Sequence, residues 1–370
     1  MKALILVGGQ GTRLRPLTIN MPKAMMPVLN RPFLEHAIRR LAGYGIREII
    51  LTQGHLSQPI EGYFGDGGQF GVSLRYVVEN SPLGTAGAVK NAEEHLGDSF
   101  LVLNGDVFTD LDLAAMIRFH RERKAVATIS LTPVEDPTRY GLIETDPSGR
   151  VSRFLEKPSP DQITTDMINA GTYVLERRVL DGVPPQTQWS FERQLFPSLL
   201  ESGQRVFAYP SPAYWMDIGH PKDYFQLNID LLKGRSSQHI PARPDEVSLG
   251  EGSQVDETAR LTGPALIGRS CRIGPKVTMS GPTVIGDNCH LDEGAIIEES
   301  IIWHDTRIGA GTRVVRSIIG EGCHIEAGSI VNDSVLGDNV TVAAGHRLKA
   351  GSRVWPGKTV GREDKGDDTA

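Results

Sequence analysis

Short apolar runs alternate with amphipathic stretches over roughly the first 235 residues of the chain. The runs Ala3–Val7, Glu48–Thr52 and Phe100–Leu103 predict buried strands, because they are brief and rich in aliphatic residues. Between them, Phe33–Leu41 and Gly84–Leu96 have the apolar spacing of helices. Strands that alternate with helices predict an α/β fold with a Rossmann-like, mostly parallel sheet. Ligands would then bind at the carboxyl ends of the strands.

A second pattern begins near Leu261, where apolar residues recur at every sixth position. These positions are Leu261, Ile267, Ile273, Met279, Ile285, Leu291 and Ile297. Four positions after each comes a small or β-branched residue: Ala265, Cys271, Val277, Thr283, Cys289, Ala295 and Ile301. Further on, Ser300, Ser317 and Ser334 recur 17 residues apart, which shortens one corner of each coil. Hexapeptide repeats of this kind predict a left-handed parallel β-helix.

The two patterns predict the domain organisation of the chain. We expect a first domain at residues 1–235 and a β-helix at residues 251–360. The polar, proline-containing stretch between them predicts a linker at residues 236–250. The charged residues 361–370 predict a disordered tail.

Composition narrows the function further. The net charge is -6 over 370 residues, which argues against a nucleic-acid-binding surface. No apolar stretch approaches the length of about 18 residues that a membrane span needs. The three cysteines give no disulfide framework, so we expect a reducing compartment and a cytoplasmic location. All three occupy the small-residue position of the repeat, which favours core packing over metal binding.

The loop after the first predicted strand contains the strongest chemical signal. It reads GGQGTRLRPLT and leads to a Pro-Lys pair, so that it carries Gly8, Gly9, Gly11, Thr12, Arg13 and Lys23. Glycines let backbone N–H groups approach an anion, and the two cations can bind phosphate oxygens. Neither the dinucleotide pattern G-x-G-x-x-G nor the P-loop pattern is present. The loop therefore predicts a site for a triphosphate that leaves as pyrophosphate.

Five motifs together resemble those of the sugar-1-phosphate nucleotidyltransferases. They are the Gly8–Lys23 segment, PLGTAGA at 82–88, LNGDV at 103–107, FLEKP at 154–158 with INAGTYVL at 168–175, and WMDIGHPKDY at 215–224. Their order and spacing follow the family over nearly the whole chain, including the C-terminal β-helix that several members carry.

The resemblance implies roles for individual residues. It implies nucleotide contacts from Leu6, Gly8, Gly9, Gly11, Thr12, Arg13, Lys23, Glu79, Gly84 and Thr85. It implies sugar-phosphate contacts from Asn104, Asp106, Gly141, Glu156, Lys157, Asn169 and Gly171. Asp106 and Asp217 would hold Mg²⁺, which prefers carboxylate and phosphate oxygens. Arg13, Lys23 and Lys157 would act in catalysis by neutralising charge, since a sugar phosphate needs no general base to attack the α-phosphorus.

The choice of base depends on Glu79 and Ala24. In the thymidylyl- and uridylyltransferases of this family, a Gln is common near the position of Glu79 and another follows the Pro-Lys pair. A carboxylate only accepts hydrogen bonds, and guanine offers two adjacent donors. The layout also resembles GDP-mannose pyrophosphorylases that carry a β-helix. GTP and mannose 1-phosphate are therefore favoured, and a glucose-1-phosphate thymidylyl- or uridylyltransferase is the alternative.

Two other classes of protein compete with this interpretation. Hexapeptide β-helices occur in acyltransferases, and His290, His304 and His324 lie in the repeat as candidate bases. A non-catalytic regulatory subunit is the second rival, although the phosphate and metal motifs are intact. In every case the β-helix is the natural surface for a homo-oligomer.

Overall fold

A computed structural model describes residues 1–9, 11–54, 58–238 and 246–361. Contacts between residues divide the chain into two compact units, each built from two separate stretches. The first unit comprises Met1–Gly9 and Leu34–Asp217, and the second comprises Gln10–Phe33 and Ile218–Ala370. These units are defined by spatial contacts and each combines two separate stretches of chain. They therefore do not test the predicted boundary at residue 235, which stays a prediction.

Thirteen strands and six α-helices lie before the β-helix in the described residues. The strands are β1 (Lys2–Leu6), β2 (Pro27–Val28), β3 (Arg31–Pro32), β4 (Glu48–Gln53), β5 (Ser73–Val78), β6 (Ser99–Asn104), β7 (Val107–Thr109), β8 (Ala127–Pro133), β9 (Gly141–Thr145), β10 (Val151–Glu156), β11 (Met167–Glu176), β12 (Val206–Pro210) and β13 (Trp215–Asp217). The helices are α1 (Phe33–Gly43), α2 (Gln58–Phe64), α3 (Gly84–Asn91), α4 (Leu113–Arg123), α5 (Phe196–Glu201) and α6 (Pro221–Leu232).

The first unit is built on a mixed sheet with the strand order β10-β9-β11-β6-β1-β4-β5. The strands β6, β1, β4 and β5 are parallel, as the alternation of strands and helices predicts. The long strand β11 pairs antiparallel with β6, β8 and β9, so the expectation of a mostly parallel sheet holds for only one half. The core includes the fully buried Leu4, Val102 and Tyr173, one from each of three neighbouring strands.

The second unit contains a β-helix of short parallel strands. They are β14 (Val247–Leu249), β15 (Gln254–Val255), β16 (Arg260–Leu261), β17 (Ala265–Ile267), β18 (Arg272–Ile273), β19 (Thr278–Ser280), β20 (Thr283–Ile285), β21 (His290–Leu291), β22 (Ile296–Glu298), β23 (Ile301–Ile302), β24 (Arg307–Ile308), β25 (Arg313–Val315), β26 (Ile318–Ile319), β27 (His324–Ile325), β28 (Ile330–Asn332), β29 (Val335–Leu336), β30 (Thr341–Val342), β31 (Arg353–Val354) and β32 (Thr359–Val360). They form three parallel sheets, which is consistent with the predicted left-handed β-helix.

The interior of the β-helix follows the predicted repeat. Cys271, Cys289 and Cys323 are free thiols and are completely buried, as the small-residue position requires. Each thiol donates to a carbonyl oxygen of the following coil, at 3.1 Å for Cys271 and Cys289 and 3.2 Å for Cys323. The thiols therefore pack in the core.

The β-helix starts slightly before the predicted position. Strand β14 lies inside the stretch expected to be a linker, and it pairs with β17 in the first coil. Val247 packs against the apolar interior, which explains why the coil begins there rather than at residue 251. Residues 239–245 of the predicted linker and 362–370 of the predicted tail lie outside the described residues. Among the helices of the described ranges, none combines the length and apolarity needed to cross a membrane.

Candidate active site

The loop after β6 is locked against the end of β1 in the first unit. The Gly105 N–H donates to the Leu6 carbonyl at 2.9 Å. A Cβ added at Gly105 would lie only 2.5 Å from that same oxygen, so only glycine fits. Sequence reasoning assigned Leu6 and Asp106 to the site but missed Gly105, although the Asn-Gly-Asp triplet could have indicated it. The contact fixes the backbone position of the next residue, Asp106.

Asp217 lies beside Asp106 because of one short antiparallel pairing. Strand β13 pairs with β7, and the register sets Asp217 opposite Val107, the residue that follows Asp106. Paired residues of antiparallel strands have Cα atoms about 5 Å apart. Both aspartates are half-buried. The register therefore sets the backbones of the two predicted metal ligands close together, and carboxylates are suitable oxygen donors for a divalent cation.

Asn104, Asn169 and Gly171 form one connected group around Tyr173. The Asn169 amide donates to the Tyr173 hydroxyl at 2.9 Å, and the Asn169 side-chain oxygen accepts from the Gly171 N–H at 3.1 Å. Gly171 has φ +72°, and a Cβ there would lie 2.7 Å from the Asn104 amide nitrogen. The Asn104 Oδ1 is buried and accepts no hydrogen bond from any residue the structure describes. A buried acceptor of this kind suits a hydroxyl group of a ligand.

Gly141, Glu156 and Lys157 meet where β9 pairs with β10. Glu156 is opposite Gly141 in the register, and a Cβ at Gly141 would lie 3.0 Å from the Glu156 carboxylate. Lys157 is exposed, has a left-handed φ of +51°, and donates its N–H to the Tyr140 carbonyl at 3.0 Å. Burial, followed by the charge of Glu192, raises the pKa of Glu156, and Lys157 partly opposes this. The predicted sugar-side residues therefore share one region of the first unit.

Trp215 ties the strand of Asp217 to that region. Its Nε1–H donates to the Ala170 carbonyl at 3.0 Å, between Asn169 and Gly171. Its ring also meets the Tyr140 ring edge to face, with centroids 5.4 Å apart. Trp215 therefore connects the strand of a candidate metal ligand with the residues of the candidate sugar pocket.

Glu79 is nearly buried beside the first glycine of the signature loop. A Cβ at Gly8 would lie 3.5 Å from the Glu79 Oε1, while the Oε2 accepts from the Leu83 N–H at 3.1 Å. One carboxylate oxygen therefore stabilises the turn before α3, and the other points toward Gly8. Burial raises the pKa of Glu79, and the Leu83 hydrogen bond lowers it by less.

Gly84 and Thr85 have structural contacts that explain their residue types. A Cβ at Gly84 would lie 2.8 Å from the Trp189 carbonyl oxygen, and φ is +70°. The Thr85 hydroxyl donates to Glu192 at 3.1 Å and accepts from the Phe191 N–H at 2.8 Å. A nucleotide role for both residues stays a prediction. The charge of Glu192 raises the pKa of Glu156. The sequence did not indicate Glu192 as a candidate site residue, because no motif surrounds it.

The remainder of the signature segment belongs to the second unit. Gly11 has φ +58°, and its carbonyl accepts from the Thr18 hydroxyl at 2.7 Å. Thr12 and Arg13 follow in a single 3-10 turn, where the Arg13 side chain is exposed. Lys23 opens a second 3-10 turn, Lys23–Met25, after Pro22. In the first unit, Gly9 has φ +146° and no atom within 4 Å of a built Cβ, which leaves space beside the loop.

The three candidate histidines of the β-helix, His290, His304 and His324, are partly or fully exposed. The His304 ring nitrogens lie 2.8 Å from the Asp305 carboxylate and 3.3 Å from that of Glu321, and this contact lowers the pKa of Asp305. His290 and His324 lie on the outward positions of β21 and β27. These contacts give His304 an ion-pair role, and the acyltransferase alternative gains no support from them.

Comparisons with known proteins agree with this geometry. The family described as nucleotidyl transferase matches residues 2–234, and the one described as GMPPB C-terminal domain matches residues 261–367. A mannose-1-phosphate guanylyltransferase of Mycobacterium tuberculosis is 43% identical over 96% of this chain and 94% of that protein. A UTP–glucose-1-phosphate uridylyltransferase of Synechocystis is 34% identical over 85% of this chain and 86% of that protein.

A solved structure extends the likeness to three dimensions. HddC from Yersinia pseudotuberculosis, complexed with GMP-PN, aligns with a TM-score of 0.55 and 31% identity over 62% of this chain and 99% of that one. The chain therefore belongs to the nucleotidyl transferase family, and it is a sugar-1-phosphate nucleotidyltransferase with a C-terminal β-helix.

Proposed function

We propose that the enzyme makes GDP-mannose and pyrophosphate from GTP and mannose 1-phosphate. A phosphate oxygen of the sugar phosphate attacks the α-phosphorus of GTP, and the bond from that phosphorus to the β-phosphate oxygen breaks. The observation that carries the choice of GTP is the nearly buried Glu79 carboxylate next to Gly8. The mycobacterial relative named as a guanylyltransferase supports the same choice.

Glu79 would recognise guanine through its Oε1, which points toward Gly8. A guanine N–H group would donate to this oxygen, whereas the corresponding edges of uracil and thymine present carbonyl acceptors as well as a donor. Since the Oε2 is held by Leu83, one guanine hydrogen bond rather than two is expected at this side chain. Leu6, Gly8, Gly9, Gly84 and Thr85 would line the rest of the nucleotide site.

The cationic side chains would bind the phosphates. Gly11, Thr12, Arg13 and Lys23 would hold the triphosphate, and Lys157 would hold the sugar phosphate. Asn104 would accept a hydrogen bond from a sugar hydroxyl through its buried Oδ1, and Gly141, Glu156, Asn169 and Gly171 would complete the pocket. No side chain has to remove a proton, because the attacking phosphate is already ionised near neutral pH.

Members of this family generally use a divalent metal, and we infer that Mg²⁺ is the ion here. Asp106 and Asp217 would hold it, because their carboxylate oxygens fit its preference for oxygen ligands. The ion would supply positive charge to the reacting phosphates. The residues of this chain bring the two substrates together and restrict their orientation.

Pyrophosphate release tests the proposal directly. ATP, CTP, GTP, UTP and dTTP would each be incubated with Mg²⁺ and the 1-phosphates of mannose, glucose, galactose and N-acetylglucosamine. GTP with mannose 1-phosphate should give the highest kcat/KM. Preference for UTP or dTTP with glucose 1-phosphate would instead support a glucose-1-phosphate uridylyl- or thymidylyltransferase. The Synechocystis relative, which is named a uridylyltransferase, favours that alternative. Glu79→Gln should reduce the preference for GTP over UTP, and an unchanged preference removes Glu79 from base selection.

Location and assembly are also proposals. The three buried free thiols fit a reducing, cytoplasmic environment. A homo-oligomer through the β-helix is supported by its long regular surface. Light scattering on the purified protein measures the oligomeric state, and a monomer at micromolar concentration contradicts it.

A further inference from the structure

One residue of the β-helix breaks the pattern of its corner. The position directly after each strand of the first β-helix sheet is glycine in most coils: Gly250, Gly268, Gly286, Gly320 and Gly337. Trp303 takes this position in the coil of β23 and is only 2% exposed. Trp355 takes it near the C-terminal end and is 41% exposed. A buried tryptophan at a glycine position indicates a contact that only this coil makes.

That contact leads to Pro27, the first residue of the hairpin formed by β2 and β3. The Trp303 Nε1–H donates to the Tyr224 hydroxyl at 3.0 Å, and the rings meet edge to face. The Tyr224 hydroxyl in turn donates to the Pro27 carbonyl. Tyr224 is completely buried and Trp303 is nearly so, and water therefore has little access to the hydrogen bond between them. The relay links the β-helix through α6 to a residue four positions after Lys23.

The tip of the hairpin formed by β2 and β3 is held in an unfavourable conformation. Leu29 has φ +48° and Asn30 has φ +60°, and the left-handed region is costly for a leucine. The Leu29 N–H donates to the buried Asn228 Oδ1 at 3.0 Å. The Asn30 side chain donates to the Ile285 carbonyl of the β-helix at 2.7 Å. Surrounding contacts therefore impose this conformation, as strained backbone requires.

The same corner of the β-helix contacts the signature segment at two further places. Arg353 donates to the Arg15 carbonyl at 3.4 Å, and the Asn20 amide donates to Asp338 at 3.3 Å. Lys23 lies between these contacts and the hairpin along the chain. The segment from residue 15 to residue 30 is thus supported on both sides of Lys23.

We propose that Trp303 and Asn30 are positioning residues, through which the β-helix sets the location of Lys23 for the phosphates of the nucleotide. The β-helix then contributes to the nucleotide site through the position of Lys23. This inference rests on the proposed role of Lys23, but it is independent of the base and the sugar. It predicts that losing the anchor affects the binding of triphosphate and pyrophosphate and leaves the binding of sugar phosphate unchanged.

The test uses the full chain and two anchor variants. Trp303→Phe keeps a ring but removes the donor, and Asn30→Gly removes the amide while tolerating the left-handed φ. The matched control is Thr306→Val, which removes a buried 3.0 Å hydrogen bond to the Gly320 carbonyl in the same β-helix. With the fastest NTP, each anchor variant should raise the KM for NTP about fivefold, as expected for one buried hydrogen bond. In the reverse reaction, the KM for pyrophosphate should rise similarly, and the KM for sugar 1-phosphate should not change.

Two further measurements make the outcomes distinguishable. In a Lys23→Ala background, Trp303→Phe should add little, because the group it positions is gone. Amide hydrogen exchange should increase over residues 15–30 in Trp303→Phe and not in Thr306→Val, and this readout needs no activity. Equal effects of the anchor variants and the control, or multiplicative effects with Lys23→Ala, would overturn the inference. Absence of turnover in the wild type overturns the proposed function, while exchange still decides whether the anchor exists.

Discussion

Asp217 is the residue on which the proposed metal site depends most directly. Asp217→Asn keeps the size of the side chain but removes the carboxylate that the pairing of β13 with β7 sets opposite Val107, next to Asp106. We expect kcat to fall about 100-fold or more, because charge stabilisation in a reacting site is worth that much. The far-ultraviolet circular dichroism should stay unchanged. Asp181→Asn, at an exposed position of the same unit, is the control. Equal activity of the two variants would remove Asp217 from the site.

Glu79 makes a separate prediction about stability. Burial raises the pKa of its carboxyl, so the folded protein disfavours the charged form. The protonated group contributes its stability below the pKa of the unfolded chain, about 4.3, and this contribution is lost as the pH rises through the higher folded value. Glu79→Gln, which can still accept from Leu83, should therefore be more stable than the wild type near pH 7 and similar near pH 4. Urea unfolding at both values measures this, and a less stable variant near pH 7 contradicts it.

At the scale of elements, the junction between β1 and the loop after β6 positions Asp106. Gly105→Ala would force a Cβ to within 2.5 Å of the Leu6 carbonyl, and two strand ends would have to separate. We expect a loss of about 1–3 kcal/mol in the free energy of unfolding, as for other overpacked sites. The concentration of Mg²⁺ needed for half-maximal activity should also rise. Gly182→Ala is the control, since nothing lies within 4 Å of its built Cβ. If both variants behave alike, Gly105 does not control the metal site.

The elements that sequence predicted best are those with local signals. The parallel strands β1, β4 and β6 have brief apolar runs, and the β-helix has its period. Strand β11 looks similar to them in sequence, yet its antiparallel pairing depends on distant partners that no local pattern specifies. The motifs made Asp106 and Asp217 candidate metal ligands, and this role stays a prediction. Gly105 was missed because its reason is a contact with Leu6 across the sheet.

The same limit applies to the hairpin of the second unit. A left-handed leucine at position 29 contradicts local preference and is imposed by Asn228, which is 199 positions away in the chain. Trp303 was visible in the sequence as a tryptophan in the repeat, but its partner was not. Sequence patterns therefore predicted candidate site residues more readily than the contacts that hold those residues in position.

At the scale of the whole molecule, we expect that removing the β-helix lowers the stability of residues 1–235 and weakens their binding of pyrophosphate. In the HddC structure, 99% of that chain aligns with 62% of this one, so 38% of this chain has no counterpart in the alignment. In this protein, however, Gln10–Phe33 groups with the β-helix by contacts rather than with the sheet. A fragment of residues 1–235 would lose the Trp303, Ile285 and Asp338 contacts while keeping Tyr224 and the strained Leu29. Losing these three hydrogen bonds, at about 1 kcal/mol each, predicts a melting temperature lower by about 5 °C or more. Differential scanning calorimetry measures the melting temperatures of the fragment and the full chain, and the reverse reaction gives the KM of each for pyrophosphate. A fragment with the same melting temperature and the same KM for pyrophosphate as the full chain would show that the β-helix contacts neither stabilise residues 1–235 nor support pyrophosphate binding.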